Sequence, residues 1–180
     1  MNHVNRIEIS NNQEPMDKVK IGIIGTGNIG TDLLMKVRKS NILECGIFAG
    51  HNMDSIGIRL AKELGVPTTF SSIDYIEKNP DCCDIVFDAT SADVHRYNAP
   101  ILKKLGKFAI DLTPAHIGLF CVPVVNLSEA IQQDNVNLIT CGGQATIPIA
   151  CELAKIHPEI EYLEIVATIA SKSARSEEHT

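Results

Sequence analysis

Short apolar runs alternate along the chain with segments in which apolar residues recur at helical spacing. The first run, 19–24, is followed by a predicted helix at 28–40. Further strands are predicted at 43–49, 66–70, 84–89, 107–112, 136–140 and 162–170, and further helices at 55–64, 72–78, 93–105, 127–133 and 145–156. This alternation predicts an α/β fold, a doubly wound and mainly parallel sheet with helices on both faces.

Composition excludes several classes of protein. The 180 residues are 44% hydrophobic, which is enough for one sizeable core and argues against a disordered chain. Lys and Arg number 16 against 22 Asp and Glu, and no segment concentrates basic residues, so no nucleic-acid partner is expected. No apolar run reaches the roughly 18 to 20 residues that cross a bilayer, so no membrane partner is expected either.

The six cysteines show neither the spacing of a secreted disulfide framework nor a CxxC pair, and no export signal precedes them. We therefore expect reduced thiols in a cytoplasmic protein. The six histidines are scattered, and Cys82-Cys83 has no partner at ligand spacing, so no metal site is expected.

A glycine-rich turn follows the first predicted strand. It fits the pattern G-x-G-x-x-G and consists of Gly25, Thr26, Gly27, Asn28, Ile29 and Gly30. Between a strand and a helix, Gly25 permits the tight turn, Gly27 lets backbone N–H groups approach a pyrophosphate, and Gly30 lets the helix pack closely on the strand. This context predicts dinucleotide binding, and a glycine-rich turn without a ligand is the alternative.

The acidic residue that this fingerprint expects about 20 residues further on is missing. The second strand ends in Gly50-His51-Asn52, and the first carboxylate is Asp54. Either His51 or Asn52 can hydrogen-bond the adenosine ribose, while an ordinary exposed loop residue is an equally good interpretation of His51. A missing carboxylate also removes one repulsion against a 2′-phosphate, so NAD is favoured but NADP is not excluded.

Cys141 is a candidate nucleophile. It follows a predicted strand and precedes two glycines and a predicted helix. Free N–H groups at a helix start stabilise a thiolate, and they also stabilise the alkoxide that forms when a thiolate attacks a carbonyl carbon. On position alone, a structural thiol is an equal alternative. The structural interpretation is preferred for Cys45, Cys82, Cys83, Cys121 and Cys151.

Weaker candidates follow other predicted strands. Asp88 and 91–93 lie where open α/β sheets place ligands, so they are candidates for the nicotinamide pocket. Asp93 is equally well explained as a helix cap. Asp111 also follows a strand, and His116 is interpreted as a loop histidine rather than a site residue.

Three segments resemble the acylating acetaldehyde dehydrogenase family. They are 23–33 around the glycine-rich turn, 140–148 with the sequence TCGGQATIP, and 164–174. The match runs from about 18 to 174, and the block after Thr140 is its most specific part. The resemblance implies a Rossmann-type dinucleotide-binding domain over 17–140, followed at 141–174 by the start of a truncated α+β catalytic and dimerisation domain.

The resemblance implies oxidation of acetaldehyde, or another short aldehyde, with NAD as hydride acceptor and coenzyme A as acyl acceptor from a thioester on Cys141. The implied cofactor contacts are Thr26, Gly27, Asn28 and Ile29, and a second segment that begins at Lys172, Ser173 and Ala174. Also implied are a homo-oligomer, a 4-hydroxy-2-oxovalerate aldolase as partner, and a role in the catabolism of aromatic compounds. Two alternatives stay open: a phosphorylating semialdehyde or acyl-phosphate reductase, and a non-catalytic dinucleotide-binding module.

Both ends of the chain depart from the family pattern. Residues 1–16 are polar and are expected to form a disordered extension. Residues 175–180 replace a glycine-rich turn of the family, and we hypothesise that they are a non-native tail; the same six codons in genomic DNA read past both flanks would contradict this. Because the family continues through most of a second domain, we expect the 180-residue chain to bind dinucleotide weakly and to turn over slowly.

Overall fold

The computed structural model describes residues 17–52, 54–138 and 140–168, and over these residues it contains one seven-stranded sheet with helices packed on it. The strands are β1 Val19–Ile24, β2 Leu43–Ala49, β3 Thr68–Thr69, β4 Ile85–Asp88, β5 Phe108–Asp111, β6 Leu119–Phe120 and β7 Asn135–Asn137. The helices are α1 Asn28–Lys39, α2 Ile56–Glu63, α3 Ser72–Lys78, α4 Ala92–Lys104, α5 Pro123–Ala130 and α6 Cys141–Ile156, and a single 3-10 turn spans Pro80–Cys82.

The strand order is β3-β2-β1-β4-β5-β7-β6, and every pair of neighbours is parallel. The chain first builds outward from β1 to β3 and then returns to the opposite side of β1 to form β4. This reversal makes the gap between β1 and β4 a topological switch point, where open α/β sheets bind ligands at the carboxyl ends of their strands. The Rossmann-type α/β fold predicted from the sequence is confirmed.

The core lies on both faces of the sheet because adjacent residues of a strand point in opposite directions. Ile23 packs in a buried cluster with Leu34 of α1 and Ile58 of α2. Its neighbour Ile24 belongs to a second buried cluster with Ile76 of α3 and others on α4. The apolar runs that were predicted to form buried strands therefore contribute side chains to the core on both faces of the sheet.

Serine caps and left-handed glycines set the bounds of two helices. The Ser55 side chain accepts a hydrogen bond from the Ile58 N–H and caps α2, and Ser91 caps α4 in the same way. Gly65 and Gly106 follow these helices at φ +71° and +65°, which is the backbone region that glycine adopts without strain. Ser91 is the cap of α4, so the alternative interpretation of Asp93 as that cap is wrong.

Two helices begin earlier than the sequence pattern predicts. The helix predicted at 145–156 begins at Cys141, because the Thr140 side chain accepts a hydrogen bond from the Gly143 N–H and caps it there. Pro148 consequently lies inside the helix rather than in its first turn. The helix α5 begins at Pro123, a residue suited to a first turn because it has no N–H to satisfy. It is kinked at Asn126, where φ is −136°, so the helix predicted at 127–133 corresponds to the part of α5 that follows the kink.

The strand predicted at 162–170 is not formed over 162–168, which lie in no regular element and are exposed. A strand needs a hydrogen-bonded neighbour, and none of the strands in the described parts of the chain pairs with this segment. Leu163, Ile165 and Val166 of this segment instead line a cavity of about 270 Å³ together with residues of α6.

Leu34 is fully buried between α1 and the sheet, so we expect Leu34→Ala to lower the free energy of unfolding by about 2 to 5 kcal/mol. Leu127→Ala is the matched control, because that side chain is half exposed and its removal is expected to cost less than about 1 kcal/mol. Urea unfolding of the two variants measures both values. Equal losses would contradict the assignment of Leu34 to the core.

Candidate active site

The glycine-rich turn carries the chain from β1 into α1 at the switch point. Gly25 has φ +108°, and a Cβ there would lie 2.5 Å from the carbonyl oxygen of Ala89. A Cβ on Gly30 would lie 1.8 Å from the carbonyl oxygen of Gly25. No side chain fits at either position, so the fold itself requires these two glycines.

Gly27 differs from both, because the fold alone does not require it. Its φ of −77° suits any residue, and a Cβ there would meet nothing within 4 Å. Gly27 is the N-cap of α1 and offers no side chain to the free N–H groups of the first turn. Open space thus lies directly at a helix N-terminus, which is where a phosphate group is stabilised by N–H groups and by the helix dipole.

A groove of about 460 Å³ begins at this turn and runs between α1 and α2. Thr26 joins its two walls: the Ser55 hydroxyl donates to Thr26 Oγ1 over 3.1 Å, and a Cβ on Gly57 would lie 2.5 Å from the Thr26 carbonyl oxygen. The groove is lined by Thr26, Gly27, Asn28, Thr31, Asp32, Met35, Ile56 and Gly57. The open position at Gly27 and the adjoining groove together fit an extended ligand with phosphate groups.

The loop after β2 carries no carboxylate at its start. His51 and Asn52 are exposed, and Asn52 Oδ1 accepts a hydrogen bond of 2.9 Å from the Asp54 N–H. Both side chains lie at the sheet edge where a ribose would be expected.

Cys141 is the first residue of α6 and is exposed. The first turn of this helix is fastened at two points: Gly143 N–H donates to Thr140 Oγ1 over 3.0 Å, and Gln144 Nε2 donates to the Cys121 carbonyl oxygen over 2.6 Å. Since α6 follows β7, the thiol lies beyond the carboxyl end of a strand, as do the turn after β1 and the loop after β4. An exposed thiol beside free helix N–H groups is suited to nucleophilic attack.

Four of the other five thiols are less suited to this role. Burial raises the pKa of Cys45 to about 12 and, together with the neighbouring Cys82, that of Cys83 to about 12. Burial also raises the pKa of Cys82 and of Cys121. A thiol with a raised pKa stays protonated near neutral pH and is a weak nucleophile. The structural interpretation of these four cysteines is therefore supported by their surroundings.

Asp88 and Asp111 were named as candidates from the sequence, but the polar cluster to which both belong was missed; it lies where α4 packs against β4, β5 and β7. This buried polar cluster consists of the buried residues Asp88, His95, Asn98, Asp111, Thr113 and Asn137 and the partly buried Asn135. His95 joins its two halves: Nδ1 lies 2.9 Å from Asp88 Oδ2, and Nε2 lies 2.9 Å from Asn135 Nδ2. One signal for the cluster is present in the sequence, because β4 and β5 both end in an aspartate and α4 carries His95 and Asn98 on one face.

Asp88 is fully buried and yet ionised at neutral pH. Burial acts to raise its pKa, but hydrogen bonds from His95, Thr90 and Asn98 outweigh burial and lower the pKa below its usual value. The lowered value means that this carboxylate stabilises the fold above the ordinary aspartate pKa, and that the stabilisation is lost as the pH falls through the folded-state pKa.

The remaining candidates are dispersed. Asp93 is exposed and forms an ion pair of 2.7 Å with Arg96. His116 is exposed with φ +55°, and its ring packs edge-on to Phe120 with 5.5 Å between ring centroids. Lys172, Ser173 and Ala174 lie outside the described residues.

Within 17–52, 54–138 and 140–168, no three His, Cys, Asp or Glu side chains are grouped so that they could hold a metal ion. None of the helices in the described part of the chain is long and apolar enough to cross a membrane.

Comparison with known proteins identifies the domain that carries the glycine-rich turn. The family model for the NAD-binding domain of semialdehyde dehydrogenases matches residues 20–134. The chain belongs to this family. A second model, for the dimerisation domain of prokaryotic acetaldehyde dehydrogenase, matches residues 141–178. Its match begins at Cys141, where the glycine-rich N-terminus of α6 begins.

Curated relatives agree with the family resemblance. Acetaldehyde dehydrogenase of Pectobacterium atrosepticum is 50% identical over 159 residues, which are 87% of this chain and 54% of that protein. Acetaldehyde dehydrogenase of Geobacillus stearothermophilus is 53% identical over 159 residues, which are 88% of this chain and 54% of that protein. The chain therefore spans about half the length of the curated relatives it matches.

Solved structures of lower identity share the fold. The structure of GenD2 from gentamicin A biosynthesis in complex with NAD has a TM-score of 0.60 and 16% sequence identity, covering 89% of this chain and 44% of that one. At this identity the likeness concerns the Rossmann-type architecture alone.

Alanine substitutions at Gly30 and Gly27 are expected to differ strongly in their effect on stability. Gly30→Ala places a Cβ against a backbone carbonyl that cannot move aside, so the free energy of unfolding is expected to fall by at least about 3 kcal/mol. Gly27→Ala places the same methyl group in open space and is expected to change stability by less than about 0.5 kcal/mol. Denaturant unfolding of both variants measures the difference, and a large loss in Gly27→Ala would show that the fold depends on this position.

Proposed function

We propose that this chain supplies the dinucleotide-binding domain and the nucleophilic cysteine of an NAD-dependent, CoA-acylating acetaldehyde dehydrogenase. The observation that carries the proposal is the exposed Cys141 at the capped N-terminus of α6, at the same sheet edge as the glycine-rich turn. The names of the relatives at about 50% identity support the aldehyde as substrate.

The cofactor is proposed to lie across the switch point. Backbone N–H groups of the turn Gly25 to Gly30 bind the pyrophosphate, and the open space at Gly27 admits it. When bound, the nicotinamide supplies the acceptor for a hydride from the substrate. Lys172, Ser173 and Ala174 are proposed as a second contact segment. The absence of a carboxylate directly after β2 leaves NADP as an alternative to NAD.

The chemistry of the chain itself centres on the thiol. The Cys141 thiolate adds to the aldehyde carbonyl carbon, and the first N–H groups of α6 stabilise the resulting alkoxide. Loss of hydride from that carbon leaves an acyl thioester on Cys141. The thiolate of coenzyme A then attacks the thioester carbonyl and releases acyl-CoA together with the free Cys141 thiolate.

Further proposals concern assembly and setting. The match to a dimerisation model and the exposed apolar side chains of α5 and α6 support a homo-oligomer. Val124, Ile131, Ile149 and Ile156 are each more than half exposed. All six cysteines are free, which supports a reducing compartment such as the cytoplasm. A partner aldolase that supplies the aldehyde, and a catabolic role, remain proposals that rest on the family resemblance.

Cofactor binding is tested with Gly27→Ala, the variant that the fold tolerates. Its methyl group occupies the space proposed for the pyrophosphate, so we expect NADH affinity to fall at least about tenfold while the unfolding curve stays unchanged. Fluorescence titration of NADH measures the affinity. Gly65→Asn controls for loss of a glycine outside the turn, because asparagine tolerates the left-handed backbone that Gly65 adopts at φ +71°. Unchanged NADH binding in Gly27→Ala would contradict the assignment of the turn.

Acyl transfer through Cys141 is tested without the nicotinamide by using p-nitrophenyl acetate. The thiolate displaces p-nitrophenolate and keeps the acetyl group as a thioester, so we expect a burst of p-nitrophenolate and one acetyl group located on Cys141 by mass spectrometry. Adding coenzyme A should then remove the acetyl group and form acetyl-CoA.

The matched variants are Cys141→Ser and Cys151→Ser, since Cys151 lies on the same helix and is less exposed. We expect the first to abolish the burst and the second to retain it. Equal acetylation of both cysteines would contradict a specific nucleophile. Transfer of the acetyl group to phosphate instead of coenzyme A would favour the acyl-phosphate alternative.

A further inference from the structure

His95 is fully buried and connects elements that are far apart in the sequence. It lies on α4, and its Nδ1–H donates to Asp88 Oδ2 at the end of β4 over 2.9 Å. Its Nε2 lies 2.9 Å from Asn135 Nδ2 on β7 and 3.5 Å from Asp111 Oδ2 at the end of β5. Buried polar groups are costly unless they are paired, so these contacts hold the imidazole in one orientation.

Each of the two carboxylates also fixes the loop that follows its own strand. Asp88 Oδ1 accepts a hydrogen bond of 3.1 Å from the Thr90 N–H, and it also binds the Thr90 hydroxyl. Asp111 Oδ1 accepts one of 2.7 Å from the Thr113 N–H. On the far side, Asn137 Nδ2 donates to Asp111 Oδ2 over 2.6 Å and to the Thr113 carbonyl oxygen over 2.9 Å. The imidazole is therefore linked to the loop after β4 through its hydrogen bond to Asp88, and its Nε2 lies in contact with the carboxylate that holds the loop after β5.

Both loops lie on one side of the switch point. The strand order places β2 and β3 on one side of β1, and β4 and β5 on the other. In this architecture the adenosine ribose lies at the end of β2 and the pyrophosphate lies over the turn after β1, so the second half of the dinucleotide extends over β4 and β5. Thr90 and Thr113 stand at the start of the loops on that side.

We infer that His95 is a positioning residue for the nicotinamide half of the bound dinucleotide. Through its hydrogen bond to Asp88 and its contact with Asp111, it sets the relative position of the loops that begin at Thr90 and Thr113. The inference rests on the proposed function, since it assumes that a dinucleotide binds at the switch point. The turn that would bind the pyrophosphate is built by glycines and does not depend on His95.

The test compares NADH with ADP-ribose, which lacks the nicotinamide but keeps the adenosine and pyrophosphate. In His95→Asn the shorter amide can still donate to Asp88 but does not reach Asn135 or Asp111. We expect its NADH affinity to fall at least about fivefold while its ADP-ribose affinity stays within about twofold. Calorimetric titration of the full 180-residue chain measures both. His157→Asn is the matched control, because that histidine is exposed and contacts only Glu159.

Two further measurements keep the inference testable if His95→Asn folds poorly. His95→Gln extends its amide toward Asn135 and is expected to recover part of the NADH affinity. In the unsubstituted chain, NADH should protect the amides of 89–95 and 112–118 from hydrogen exchange more strongly than ADP-ribose does.

Three results would overturn the inference. They are equal losses of NADH and ADP-ribose affinity in His95→Asn, unchanged affinity for both, and equal protection of the two loops by both ligands. If the unsubstituted chain binds neither NADH nor ADP-ribose, the proposed cofactor function fails as well, and this outcome is distinct from a loss confined to the variants.

Discussion

The close approach of two backbone segments at the end of β1 is the constraint on which the candidate site depends. The first turn of α1 lies against the turn that precedes it, with Gly30 so near the Gly25 carbonyl oxygen that no Cβ fits between them. Gly25 in turn lies against the backbone after β4, where a Cβ would come within 2.5 Å of the Ala89 carbonyl oxygen. These contacts bring the N-terminus of α1 to the switch point, and the free N–H groups of that helix then define where an anion can be stabilised.

The rest of the sheet places the other functional groups relative to that point. Because every strand is parallel, all the strand ends that carry polar groups lie along one edge. The glycine-rich turn follows β1, and Cys141 follows β7. The buried polar cluster includes the last residues of β4, β5 and β7. The two proposed tasks, binding an anion and presenting a thiol, thus belong to groups that lie along one edge of a single sheet.

Local signals explain why much of this could be predicted from the sequence. The glycine-rich turn and the stops at Gly65 and Gly106 depend on residues close together in the chain, and apolar periodicity locates the strands and helices between them. The start of α6 was predicted too late, although Thr140 is a residue type that caps helices. The strand predicted at 162–170 is not formed over 162–168, because a strand also needs a second strand with which to form hydrogen bonds. The buried polar cluster was missed because its contacts are long-range: His95 and Asn135 are 40 residues apart, and no local periodicity reports such a pair.

The helix that carries Cys141 has sixteen residues, none of which is fully buried. Its first turn is held by the Thr140 cap and by the bond from Gln144 to the Cys121 carbonyl oxygen. Both of these hydrogen bonds lie at the end of the helix that carries the Cys141 thiol. A protein surface that packs against the exposed apolar residues of α6 is therefore expected to affect the orientation of the thiol as well as the stability of the helix.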